Sequence, residues 1–176
     1  MAAGYGRWAE RLMGMNEAVW ARHANPYSVW TRIPILPLLV LSLWSRVWIG
    51  PWCALPVAVL LLWTWFNPRV FTAPERIQGW ASKGVYGERI WLNRDTVPIA
   101  GHHAAMANLL TGISAIGAVL VIYGLIVLDA WATVFGTALA MLGKLWFVDR
   151  MVWLYEETDR QARERAAMPA KLTRRD

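Results

Sequence analysis

Apolar residues form long runs along the chain, and polar residues collect between them. The run 33–66 contains one charged residue, Arg46, and is interrupted at Gly50-Pro51. A membrane-spanning helix needs about 20 apolar residues, so this run predicts a hairpin of two short helices. A second pair of runs meets at Asp129 and predicts another hairpin. The four predicted spans are 33–49, 51–66, 104–128 and 130–148.

The segments outside these runs also carry helical signals. Apolar residues at helical spacing predict an amphipathic helix over 7–23, lying in the membrane interface. Proline and glycine punctuate the loop 67–103, which we expect to fold into short helices that cap the bundle. The fold class is therefore an all-α integral membrane four-helix bundle with an interfacial N-terminal helix. Residues 1–168 form one membrane domain, and 169–176 a basic tail.

Composition supports a lipid-facing protein. Hydrophobic residues make up 57% of the chain and charged residues 17%, against about 45–50% and about 25% in soluble domains. Disorder is excluded by this hydrophobicity, and a disulfide scaffold by the single Cys53. Most of the 13 tryptophans fall near predicted span ends, where aromatic rings favour the headgroup layer.

The distribution of basic residues predicts the orientation. Apart from Arg46 and Lys144, every Lys and Arg lies in 1–32, in 67–103 or after 148. Four spans place these three segments on one side, so the positive-inside rule assigns both termini to the cytoplasm, at the cytoplasmic membrane. The net charge of +6 is then explained by contact with anionic lipid and gives no indication of nucleic acid.

Small residues predict where the last two spans touch. Ala132, Gly136 and Ala140 repeat every fourth residue, and the preceding span offers Ser114 and Gly117. Lys144 continues the same face near the cytoplasmic border. It either extends to the headgroups or pairs with a carboxylate or ligand within the bundle.

Polar residues gather at the cytoplasmic span ends, which predicts a polar pocket there. Its predicted lining is His23, Asn25, Arg32, Asn67, Arg69, Glu88, Arg89, His102 and Asp149. The candidate ligand-binding residues also include Lys83, Lys144 and Arg150. The candidate catalytic groups are His102, His103, Glu88 and Asp149.

Four segments, 23–32, 67–69, 83–94 and 149–156, carry a family resemblance. They are similar to an uncharacterised family of small prokaryotic membrane proteins with several spans, and the resemblance covers residues 16–157. It implies a multi-span membrane protein. It carries no activity and assigns no functional residue.

Three functions remain open at this stage. The first is a membrane scaffold or accessory subunit with a polar pocket. The second is a membrane enzyme for a lipid or phosphorylated substrate, because arginine binds phosphate oxygens and histidine can act as a base. The third is a haem- or metal-binding bundle using His23, His102 or His103, although their spacing assigns no metal ligand and no cofactor. The expected partners are membrane lipids, and either a second copy or another membrane protein.

Overall fold

The computed structural model describes residues 16–96 and 98–172, with side chains described to 167. This part of the chain is helical and contains no strand. Its elements are α1 Glu17–His23, α2 Pro26–Arg32, α3 Ile35–Trp44, α4 Arg46–Ile49, a 3-10 turn Gly50–Cys53, α5 Ala54–Val70, α6 Trp80–Leu92, α7 Gly101–Val127 and α8 Ala130–Leu172. Residues 7–15 of the predicted interfacial helix lie outside the described residues, and its described end is α1.

Helices α3 to α5 fold back on themselves as an N-terminal hairpin. The reversal is at Gly50, whose φ of 57° is favourable for glycine and costly for other residues. Pro51 follows in the 3-10 turn, at a position that has no need of its missing N–H. At the open end, Asn67 of α5 accepts a hydrogen bond from Ser28 of α2. The apolar stretch 26–70 is therefore bent near its middle.

Helices α7 and α8 form a C-terminal hairpin around Asp129. The side chain of Asp129 accepts a 3.0 Å hydrogen bond from the Ala132 amide and so starts α8. The two helices approach so closely that a Cβ on Gly117 would lie 2.4 Å from the Ala140 amide nitrogen. The predicted contact between small-residue faces is confirmed, because only residues without bulky side chains permit this approach.

The two hairpins point the same way. The Arg46 guanidinium, near the N-terminal reversal, donates a hydrogen bond to the carbonyl of Leu125, one turn before the second reversal. Both reversals therefore lie at one end of the molecule. The opposite end holds α1, α2, α6 and the start of α7, together with most of the predicted polar residues.

Helix α6 packs along the middle of α8, where residues 147–154 also pack against the first half of α7. A Cβ on Gly87 would lie 1.8 Å from the carbonyl oxygen of Met151, so the two backbones are in contact. Polar groups flank this contact. Trp80 donates from its indole to Asp149 at 3.0 Å, and Lys83 pairs with Glu156 at 2.6 Å. This helix occupies part of the segment for which short helices are predicted.

Three helical stretches are long and apolar enough to cross a membrane: 26–70, 101–127 and 130–167. Their outward surfaces carry large apolar side chains. Ile126 is 72% exposed and Trp131 is 85% exposed. Extended apolar surface of this kind is unusual for a soluble monomer and is compatible with contact to lipid.

Candidate functional site

A cavity of about 300 Å³ lies where α1, α2 and the start of α3 meet α6 and α8, at the end of the molecule opposite the reversals. Its polar groups are His23, Arg32, Glu88 and Lys144, and we call it the Arg32–Lys144 cavity. Apolar side chains form the rest of its wall. They are Val29, Ile33, Leu36, Trp80, Val85, Met141, Leu145 and Val148.

His23 and Arg32 lie in direct contact. One guanidinium nitrogen, Nη1, is 2.6 Å from Nδ1 and 2.7 Å from Nε2 of the imidazole. A guanidinium can only donate, so one of the two ring nitrogens must accept, and the imidazole is neutral. Burial lowers the pKa of His23 to about 3, and the positive charge of Arg32 adds to the effect.

Glu88 faces the two cations of the cavity. Its Oε1 accepts a 3.1 Å hydrogen bond from the Lys144 ammonium. Burial opposes ionisation of this carboxyl, but the charges of Lys144 and Arg32 outweigh it, and its pKa lies below the usual range. Lys144 is therefore paired with a carboxylate 56 residues away, one of the two roles open to it from the sequence.

The cavity has an excess of positive charge. Arg32 and Lys144 contribute two cations, Glu88 one anion, and neutral His23 none. Arg32 also has its Nε buried without a hydrogen-bond partner among the described residues. A buried unpaired donor is unfavourable, so this cavity is chemically suited to a ligand that supplies an anionic oxygen.

Two predicted pocket residues instead tie the hairpin ends together. Asn25 begins α2 by accepting from the Tyr27 amide, and its Nδ2 donates to the Thr72 carbonyl at 2.9 Å. Asn67 is fully buried and bonds with Ser28 and Thr31. Both asparagines hold backbone and helix ends together outside the cavity.

The other predicted cations lie at separate positions. Arg69 stacks over the Trp65 ring at 4.1 Å, and Arg150 stacks over Trp153 at 4.6 Å. Arg89 pairs with Glu17. Together with Lys83, which pairs with Glu156, these residues do not line the Arg32–Lys144 cavity. The candidate acid Asp149 lies beside it, bound to the Trp80 indole.

His102 and His103 lie in a second cluster, at the first turn of α7. The Nε2 atom of His103 is 2.9 Å from Oε2 of Glu157, and the His102 Nε2 is 3.9 Å from the same oxygen. Glu157 is absent from the sequence-predicted residues. The turn at Asp129 could have indicated it. In two antiparallel helices of equal rise, residues at equal distances before and after the turn lie side by side. His103 lies about 26 residues before Asp129, and about the same number of residues after it leads to the region of Glu157.

The fold and site define an all-helical protein with three helices long and apolar enough to cross a membrane and a charged cavity at one end. The chain belongs to a family of unknown function, DUF6653, whose model matches residues 6–173. No curated protein and no solved structure matches the chain.

Proposed function

We propose that this protein crosses the cytoplasmic membrane four times, with both termini inside, and binds an anionic amphiphile in the Arg32–Lys144 cavity. Its role is then that of a membrane scaffold or accessory subunit that holds a lipid with a phosphate headgroup. The observation that supports an anionic ligand is the excess of positive charge in the cavity, where two cations face one carboxylate. The Arg32 Nε is also buried and unpaired among the described residues.

Two contacts support four crossings. The Ser28–Asn67 bond brings the ends of the first apolar stretch together, as a hairpin requires. The Arg46–Leu125 bond places both reversals side by side. With the basic segments at the opposite end, this arrangement matches the positive-inside rule with the reversals outside.

Ligand chemistry follows from the two sides of the cavity. Arg32 can meet a phosphate with two parallel N–H donors, and Lys144 adds a point charge. The apolar wall formed by Leu36, Met141 and Leu145 suits an acyl chain. A volume of about 300 Å³ is at the small end for a ligand site, so it fits the headgroup region with the chain extending into the bilayer.

Binding can be tested with purified protein in nanodiscs of phosphatidylcholine doped with phosphatidylglycerol, using native mass spectrometry to count retained lipids. The wild type should retain phosphatidylglycerol over phosphatidylcholine. Lys144→Gln should weaken retention about tenfold, the range expected for one charge-assisted hydrogen bond. Lys83→Gln is the matched control, because Lys83 pairs with Glu156 outside the cavity. Equal losses in the two variants, or no preference for the anionic lipid, would overturn the proposal.

The orientation can be tested with single cysteines in a Cys53→Ser background. Trp52→Cys, on the 76% exposed Trp52 of the first reversal, should react with a membrane-impermeant maleimide in intact cells. Glu75→Cys, in the exposed loop after α5, should react only after the cells are opened. The reverse pattern, or equal labelling of both, contradicts the proposed orientation.

A further inference from the structure

We infer that His102, His103 and Glu157 form a binding site for a divalent transition metal of the zinc type. The site joins the first turn of α7 to α8. It is separate from the Arg32–Lys144 cavity, with which it shares no residue. It therefore stands independently of the proposed lipid binding.

The donor atoms already converge. One nitrogen from each imidazole and one Glu157 oxygen lie within 4.8 Å of one another. The Glu157 oxygen is 2.9 Å from His103 and 3.9 Å from His102. Ligand atoms around a tetrahedral zinc ion lie about 3.3–3.6 Å apart, given bonds of about 2.1 Å. The two contacts with Glu157 thus lie within about half an ångström of the spacing that a tetrahedral ion requires, and the two imidazole nitrogens lie within 4.8 Å of each other.

The two histidines differ in a way that suits a metal site. The His103 side chain is only 6% exposed, so the packing fixes its position, whereas that of His102 is 69% exposed and can rotate towards an ion. Their rings lie 4.2 Å apart between centroids. The hydrogen bond between His103 and Glu157 does not require the imidazole of His102 nearby. A metal ion, by contrast, would be bound by both imidazoles.

The donor set identifies the class of ion. Imidazole nitrogen and carboxylate oxygen together favour zinc and neighbouring transition metals over calcium or magnesium, which prefer oxygen alone. Three protein ligands leave one position for water, as in exchangeable and catalytic zinc sites. A cavity of about 190 Å³ beside His103 and Glu157, also lined by Thr158 and Gln161, has room for that water.

The test is a calorimetric titration, in which zinc chloride is added to the metal-free protein in detergent and the heat of binding is measured. The wild type should bind one equivalent, and His102→Gln should weaken binding at least tenfold. His102→Gln is the informative variant because this exposed side chain has little effect on packing. Glu157→Gln should weaken binding equally, while Glu156→Gln, at the adjacent residue that pairs with Lys83, should leave it unchanged.

Cobalt(II) provides a second measurement. Coordination by imidazole and carboxylate in a tetrahedral site should give intense visible bands in the wild type, and His102→Gln should remove them. Zinc should also raise the unfolding temperature of the wild type and not that of His102→Gln. The inference is overturned if the wild type binds no zinc, if binding survives in both His102→Gln and Glu157→Gln, or if Glu156→Gln weakens it as much as Glu157→Gln.

Discussion

Asn67 and Ser28 lie 39 positions apart in the chain and share a hydrogen bond of 2.6 Å between buried side chains. The Nδ2 amide of Asn67 also donates to the Thr31 hydroxyl of the same helix at 2.7 Å. One side chain thus bonds to two hydroxyls at the base of the N-terminal hairpin. Because no water reaches this fully buried position, these groups depend on each other.

Replacement of Asn67 by alanine should lower the free energy of unfolding by about 1–3 kcal/mol, because it leaves the buried Ser28 hydroxyl without its acceptor. Thermal unfolding in detergent, followed by circular dichroism, measures this. Asn93→Ala is the control. Asn93 is exposed and its side chain donates to the Arg89 carbonyl within its own turn, so its replacement should change stability by less than about 0.5 kcal/mol. Similar losses in the two variants would show that the Asn67 network has no special role.

Gly87→Ala should detach or displace α6 from α8. The added Cβ would lie 1.8 Å from the Met151 carbonyl oxygen, a backbone atom that cannot rotate away. We expect a loss of about 1–3 kcal/mol, typical of overpacking, and faster proteolysis within α6. Gly112→Ala is the matched control within a helix, since nothing lies within 4 Å of its Cβ position. That variant should be neutral or gain about 0.5–1 kcal/mol from its higher helix propensity. A stable, protease-resistant Gly87→Ala would contradict the close contact.

Acidification should destabilise the fold through His23. Its pKa is lowered from 6.5 to about 3 in the folded protein, so the unfolded chain binds the proton first. The stabilising effect is complete above pH 6.5 and is lost as the pH falls from 6.5 towards 3. By pH 5 the loss should be about 2 kcal/mol, at about 1.4 kcal/mol per pH unit. The pKa values of Glu88 and Glu157 are also lowered, but from 4.5, so the loss of stability due to these two carboxyl groups belongs to lower pH than the loss due to His23.

The measurement for His23 is the unfolding midpoint in chemical denaturant at several pH values. His23→Gln should flatten the dependence between pH 6.5 and 4.5. His102→Gln should retain it, because His102 lies outside the Arg32–Lys144 cavity and its replacement leaves the His23–Arg32 contact intact. The same slope in His23→Gln as in the wild type would assign the proton uptake to another group.

The Glu88–Lys144 pair should show a modest coupling in a double-mutant cycle. Lys144→Glu places two carboxylates together, and the combined Glu88→Lys, Lys144→Glu exchange should recover part of the loss. The Lys144 side chain is 56% exposed, so we expect a coupling of no more than about 0.5–1 kcal/mol. Additive effects of the two changes would show that the pair contributes no energy of its own. A coupling well above this range would indicate a more buried pair.

The positions of the helices follow closely from local sequence. The breaks predicted at Gly50 and Asp129 are the two reversals of the structure, since glycine tolerates a positive φ and aspartate caps the following helix. The small residues at every fourth position predict the contact of α7 with α8, because the helical period alone places them on one face. These features depend on neighbours within a few residues.

The pairing of distant polar residues was decided only by the tertiary structure. Glu88 meets Lys144 and Glu157 meets His103 because packed helices bring together residues more than 50 positions apart. Asn25 lies at the same predicted membrane border, but its side chain caps α2 and donates to the carbonyl of Thr72 in a loop. Composition and periodicity thus predicted the long apolar helices of this protein. The angle and depth at which the helices pack determined which polar groups share a cavity, because no local pattern records those distances.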